Sequence, residues 1–398
     1  MTRNHHLIDS KKKFVFLIII LGSITAIGPL TIDMYLPAFL AIAKNFSASQ
    51  NMVQLSLATY FIGLALSQLF YGPIIDRYGK KLPLFFGLCL FIISSIACCF
   101  ANNIEQLIFW RFFQAMGACI GIVAPRAIVR DIFSPQESAR VFSHLMLVMG
   151  LAPILAPLCG SFILGIFGWR GIFIFLSIFG IFCLLVSQTS IPQTNQPNVD
   201  EKISHAFKKY WQILNDRNFI ICALCGSFIM SAMFVYITAS PFAYLEVFNL
   251  SAKRYSLVFA ANSFGFILLS QINAYFLKKN SIHKILNKIL FLPAFAGIIL
   301  ILIGAISPTF WLFTITNFFF IASIGAIIPN TSALALSNHS QHSGSASAML
   351  GTIQFSFATL LSFLISFLHS GNLTLMSTMI GVCGILSCLV YKIFKKDL

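Results

Sequence analysis

Gly72-Pro73-Ile74-Ile75-Asp76-Arg77-Tyr78-Gly79-Lys80-Lys81 separates two apolar runs, 52–71 and 82–100. Gly72 and Gly79 permit a tight turn, and Asp76 lies between them among cations. An acid at this point can also cap the helix that follows. Each flanking run is long enough to cross a bilayer, which takes ~20 apolar residues as a helix. Working outward, similar runs fall at 14–41, 104–128, 140–167, 170–190, 219–247, 255–277, 286–306, 309–329, 345–369 and 374–394, twelve with the first two. They are continuous blocks, unlike the alternating strands of a membrane barrel.

Composition leads the same way. Of 398 residues, 58% are hydrophobic, 9% are charged and 43 are Phe. A soluble domain carries roughly 25% charged residues, so a water-facing surface is excluded, as are disordered and disulfide-rich secreted classes. Lys and Arg total 26 against 11 acids, a net charge of +15. With the N-terminus in the cytoplasm, 21 of the 26 cations fall on the cytoplasmic side. Lys44, Arg170, Lys253 and Arg254 fall outside, and Arg111 lies within a span. The cations therefore orient the chain, with both termini cytoplasmic, and leave no basic domain for nucleic acid.

Several chemistries lack their residues. Lys11 to Lys13 precede a run far longer than a signal-peptide core, and it contains Asp33, so no cleavable signal is expected. All ten cysteines lie in apolar runs, where they act as small hydrophobes. Cys222 and Cys225 form a lone CxxC, and His339 and His342 have no acidic company, so no metal or redox site is expected. No Walker motif is present, which removes ATP hydrolysis as an energy source. No cofactor is expected, and short loops without a nucleophile–base set argue against an enzyme.

The runs group as six, a gap and six: an N-terminal bundle over 1–191, a linker over 192–218 and a C-terminal bundle over 219–398. Within the linker, Lys202 to Trp211 places Ile203, Phe207 and Tyr210 on one face of an amphipathic surface helix. The fold class expected is an all-α membrane protein of two pseudo-symmetric six-helix bundles, an architecture of transporters.

The loop order G-x-x-x-D-R-x-G-K-K over Gly72, Asp76, Arg77, Gly79, Lys80 and Lys81 closely resembles the cytoplasmic signature of the major facilitator superfamily. In that family it latches the two halves in the outward-facing state. Arg111-Phe112-Phe113-Gln114-Ala115-Met116-Gly117 is similar to the family's R-x-x-Q-G motif. Pro153-Ile154-Leu155-Ala156-Pro157-Leu158-Cys159-Gly160-Ser161 resembles its antiporter motif G-P-x-x-G-G, with Ala156 and Ser161 replacing glycines. With Thr31 to Pro37, Arg126 to Asp131, Ser240-Pro241-Phe242, Pro329-Asn330, Gly344 to Ala348 and Gly351 to Gln354, the chain resembles the bicyclomycin-resistance (Bcr/CflA) group of drug:proton antiporters from about residue 14 to 391. The second-half counterpart of the loop motif, Asn273 to Lys284, keeps Lys278 and Lys279 but lacks the acid and the glycines.

Charges inside a membrane are expensive and usually functional. Asp33 lies ~12 Å and Arg111 ~10 Å below the outer surface at 1.5 Å per residue, in one layer. The expectation is that Asp33 carries the proton while Arg111 sets its affinity for it; the alternative is a static ion pair that fixes packing. Glu246 belongs to a solvated outer end. Met34, Tyr35, Gln114, Met230, Met233, Tyr236, Phe242, Asn330 and Gln354 are candidates for the substrate cavity, with Asn262, Gln271 and Asn317. Interhelical hydrogen bonding accounts for the polar ones equally well. The resemblance implies a proton-gradient-driven, monomeric exporter of small amphipathic drugs in the bacterial inner membrane. Alternatives are export of an endogenous metabolite or siderophore, proton-coupled uptake, and a channel or receptor without proton coupling.

Overall fold

The computed structural model describes residues 11–132, 135–190, 211, 213–306, 309–338, 343–368 and 373–394; they are helices joined by short connections, with no strand among them. Eleven stretches of these residues are long and apolar enough to cross a membrane. The linker's predicted surface helix, Lys202 to Trp211, lies outside the described residues except for Trp211, as do His339 and His342.

Helix α1 spans Lys11–Asp33, and its end has a covalent cause. Pro37 has no N–H to offer the Asp33 carbonyl four residues earlier, so the helical ladder stops there. The chain turns at Met34 and Tyr35, makes a 3₁₀ turn over Leu36–Ala38 and resumes as α2, Phe39–Phe46. The first membrane-length stretch is thus Val15–Phe46, broken at its acid, where the sequence predicts an unbroken 14–41.

Helix α3, Gln50–Tyr78, absorbs Gly72 and Pro73. The predicted two-glycine turn is corrected: Pro73 forgoes one bond to the Leu69 carbonyl without ending the helix, and the turn falls at Gly79 alone, with φ +76°. Asp76 is helical, so it does not cap α4, Lys81–Cys99, and its side chain lies outside the described residues. Helix α5 spans Ile104–Ile132. Runs 140–167 and 170–190 join without a loop in α6, Pro135–Ser190, whose backbone breaks at Gly168 (φ +69°, ψ −176°).

Asp216 opens α7, Arg217–Pro241, by accepting from the Asn218 and Phe219 amides. A π-helical turn, Phe242–Val247, extends it. There follow α8 (Ala252–Leu277), α9 (Ile282–Ile289), α10 (Phe291–Ala305), α11 (Phe310–Leu336), α12 (Ser343–Leu368) and α13 (Leu373–Phe394). The packing repeats itself. Pairs α1–α6, α3–α5 and α4–α6 of the first half correspond to α7–α12, α8–α11 and α10–α13 of the second. The halves meet along two seams, α3 against α12 and α6 against α8.

Candidate functional site

Asp33 closes α1 with 4% of its surface exposed, and Arg111, on α5, is fully buried. Arg111 Nη1 donates to the Thr31 carbonyl at 3.3 Å and to Gln114 Oε1 at 2.7 Å. Gln114 Nε2 donates in turn to Ser95 Oγ at 2.8 Å. The guanidinium carbon stands 4.5 Å from the centre of the Tyr35 ring and 4.4 Å from that of Tyr60. Tyr35 is itself fixed by a 2.7 Å hydrogen bond between its hydroxyl and Ser56 Oγ.

The Thr31 contact puts Arg111 at the level of Asp33, as depth counting predicts. A direct pair is not formed, however: among the described residues no ion pair joins them, and Asp33 makes no hydrogen bond. The turn before Pro37 brings Tyr35 onto the guanidinium, so π faces and a carbonyl meet the cation where a carboxylate was expected. Arg111 Nε and Nη2 have no hydrogen-bond partner among the described residues. Asp33 lies within Coulombic reach of Tyr60 and, from the second half, of Tyr255.

The proline-rich stretch of α6 meets this break. A Cβ on Gly160 would lie 2.3 Å from the Met34 carbonyl oxygen, so only glycine lets α6 sit against the chain one residue past Asp33. Ala156 is fully buried beside it. Pro157 lacks the N–H that the Pro153 carbonyl would accept, and Ser263 Oγ of α8 approaches that carbonyl at 3.4 Å. Ser256 Oγ donates to the Pro157 carbonyl at 2.9 Å. The prolines thus build the α6–α8 seam.

The α3–α12 side is closed as well. At one end Gln50 Nε2 donates to Glu246 Oε1. Midway, the rings of Phe61 and Phe234 have centroids 4.2 Å apart, and Phe234 meets Phe355 at 5.6 Å. Toward the other end, a Cβ on Gly351 would meet Gln68 Oε1 at 3.0 Å. Exposed Glu246 agrees with the solvated position predicted, and it also bridges the halves.

The predicted cavity residues are dispersed. Met34 and Tyr35 are fully buried at the α1 break, and buried Gln114 supports Arg111 between α4 and α5. Asn330 exchanges hydrogen bonds with Asn273 (2.8 and 3.4 Å), and Asn262 Nδ2 donates to Tyr236 Oη at 2.6 Å. Asn317 donates to the Phe313 carbonyl within its own helix. Gln271 is exposed on the outer face of α8, which corrects its cavity placement. Met230 and Met233 are half-buried and Phe242 is buried. Gln354 is buried against Gly226 and Thr331, with no partner for Nε2 among the described residues. Of these candidates, Asn262 borders a groove of about 500 Å³ between α8 and α11, lined also by Leu257, Trp311 and Phe318.

Of the loop motif, Gly72 lies within α3, Gly79 makes the turn, and Lys80 and Lys81 open α4. Arg77 packs its guanidinium 5.4 Å from the Tyr78 ring. Sequence reading missed Ser56, Tyr60, Tyr255, Ser256 and Ser263. The available signal was spacing: Ser56 and Tyr60 at i,i+4, and Ser256 and Ser263 at i,i+7, each pair on one helix face.

Two packed helical halves, with a buried carboxylate where a broken helix approaches their seam, define a multi-pass membrane transporter rather than an enzyme. The chain belongs to the Major Facilitator Superfamily, whose family model matches residues 21–362. It is 34% identical to the MFS-type transporter YdgK of Bacillus subtilis (strain 168) over 88% of each chain. It is 27% identical to a bicyclomycin resistance protein homolog of Haemophilus influenzae over 96% of each. In fold it is similar to the xylose transporter XylE from E. coli, with a TM-score of 0.75 at 14% identity over 97% of this chain and 98% of that one.

Proposed function

We propose that the protein is a proton-coupled antiporter that exports small amphipathic drugs across a bacterial inner membrane by alternating access. The observation that carries this reading is Asp33: a buried carboxylate at a helix break, next to the Gly160 contact and within Coulombic reach of Tyr255 from the other half. A carboxylate so placed changes surroundings whenever the halves move, and that change alters its affinity for a proton. Bicyclomycin resistance in the name of a relative supports export of drugs.

In this reading the α6 stretch Val148–Ser190 crosses the membrane twice, turning at Gly168, which gives twelve spans. The Lys278 end is cytoplasmic, and so are both termini. Asp33 takes a proton from the outside and releases it inside, and substrate travels the other way. Arg111 acts through Thr31 and Tyr35, which flank Asp33 in the chain, and not by direct pairing. The loop motif from Gly72 to Lys81 latches the outward-facing state.

Proton release on substrate binding tests the coupling. Purified protein in weakly buffered detergent is titrated with bicyclomycin-like and phenicol-like drugs and then with candidate metabolites and siderophores. Release that disappears in Asp33→Asn is expected. Binding without release from the wild type overturns antiport, and release seen only with a metabolite reassigns the substrate.

A further inference from the structure

Helices α9 and α10 run on from one another and carry one exposed stripe: Lys284, Lys288, Phe291, Phe295, Ile298 and Leu302. The spacing alternates four and three residues, so these side chains stack along one face. Two lysines thus stand directly below a four-residue apolar stripe. A third cation joins from α13, where Lys392 Nζ lies 4.0 Å from the centre of the exposed Phe291 ring. Its neighbour Tyr391 is fully buried and hydrogen-bonds His283 Nδ1 at 3.0 Å, which ties α13 to α9 and holds Lys392 beside the stripe.

Among the described residues this charge is not balanced by a neighbouring acid. Between residues 217 and 394 the sequence has a single acid, Glu246, and that residue bonds Gln50 at the opposite end of the molecule. Beyond that interval, Asp216 is engaged in capping α7, and Asp397 lies outside the described residues. No ion pair of Lys284, Lys288 or Lys392 occurs among the described residues. Lys278 and Lys279, also exposed, follow Tyr275 and Phe276 at the end of α8 and add charge at the same level.

We propose that this face is a binding site for an anionic phospholipid, with its phosphate headgroup held by Lys284, Lys288 and Lys392 and an acyl chain lying along Phe291, Phe295, Ile298 and Leu302. The lysine–apolar order along one helix face matches the phosphate–acyl order of a lipid. In the proposed orientation the lipid belongs to the cytoplasmic leaflet. The site does not depend on proton coupling or on the transported substrate.

Delipidated full-length protein in neutral detergent is titrated with phosphatidylglycerol or phosphatidylcholine, and bound lipid is counted by native mass spectrometry. Each lysine near an anionic lipid contributes enough that losing three lowers affinity about a hundredfold. The expected result is at least one phosphatidylglycerol bound in preference to phosphatidylcholine, weakened about a hundredfold in Lys284→Gln/Lys288→Gln/Lys392→Gln and unchanged in Lys253→Gln/Arg254→Gln at the other end. Displacement by millimolar inorganic phosphate would show a free-anion site and overturn the lipid assignment. So would equal binding of the two lipids by the wild type, or unweakened binding by the triple variant. These side chains are exposed, and an unchanged elution profile verifies that each variant is folded.

Discussion

The Gly160 main chain lies against the Met34 carbonyl so closely that a methyl group would have to sit 2.3 Å from its oxygen. Glycine here joins the proline-rich stretch of α6 to the break of α1 one residue past Asp33. Gly160→Ala is therefore expected to push the two helices apart and destabilise the closed form by about 1–3 kcal/mol, the usual result of overpacking. Thermal unfolding in detergent measures that loss. Gly165→Ala, where a methyl group meets open space, should leave unfolding unchanged.

Asp33→Asn removes the one acid of the α1 break. Substrate binding should survive, while uphill export into a proton gradient falls by at least about tenfold, since coupling and not affinity is lost. Counterflow without a gradient, measured in the same proteoliposomes, should persist. Uphill export at wild-type rates would remove Asp33 from the coupling role.

Arg111→Lys keeps the charge and loses the planar group that lies over Tyr35 and Tyr60. Lysine does not reproduce a stacked guanidinium, so this exchange should behave as a disruptive one. A double-mutant cycle of Arg111→Lys with Tyr60→Leu should return a coupling of about 0.5–2 kcal/mol, the range of a cation over an aromatic face. A coupling of zero would mean that the ring contributes nothing to holding the cation.

Asn330→Ala distinguishes packing from substrate contact. It leaves Asn273 without its partner, so stability should fall by about 0.6–2 kcal/mol while the apparent KM for export stays unchanged. A raised KM with unchanged stability would return Asn330 to the substrate path.

Gln50 and Glu246 close one end of the seam. In a background lacking half-buried Cys89 and exposed Cys159, Gln50→Cys with Glu246→Cys should be bridged by a short bis-methanethiosulfonate linker that replaces the two long side chains; bridging should stop export, and reduction should restore it. Full activity of the cross-linked protein would show that this end does not open during transport.

Much of the architecture was legible in the sequence because membrane helices declare themselves through long apolar runs. The shared layer of Asp33 and Arg111 was legible too, since depth follows from counting 1.5 Å per residue. Their lack of contact was not. It depends on the rotation that Pro37 imposes after Asp33, and periodicity carries no record of which ring then swings onto the guanidinium. The partners of the polar cavity candidates were not legible for a related reason. Asn330 and Asn262 have the polarity of a substrate contact, but their partners Asn273 and Tyr236 lie 57 and 26 residues away, beyond the reach of any local pattern.

Ser256 and Ser263 each have a second place for their proton. While Ser256 donates across the seam to Pro157, its hydroxyl also lies 2.9 Å from the Ala252 carbonyl on its own helix, and Ser263 lies 2.9 Å from that of Phe259. When α6 and α8 separate, neither hydroxyl is left stranded: it settles wholly on its home carbonyl, and the proline carbonyls turn to the water entering the cleft. In the proposed alternating-access cycle the seam would therefore work like a detachable fastener, firm enough to register the halves and cheap enough to release once in every turnover.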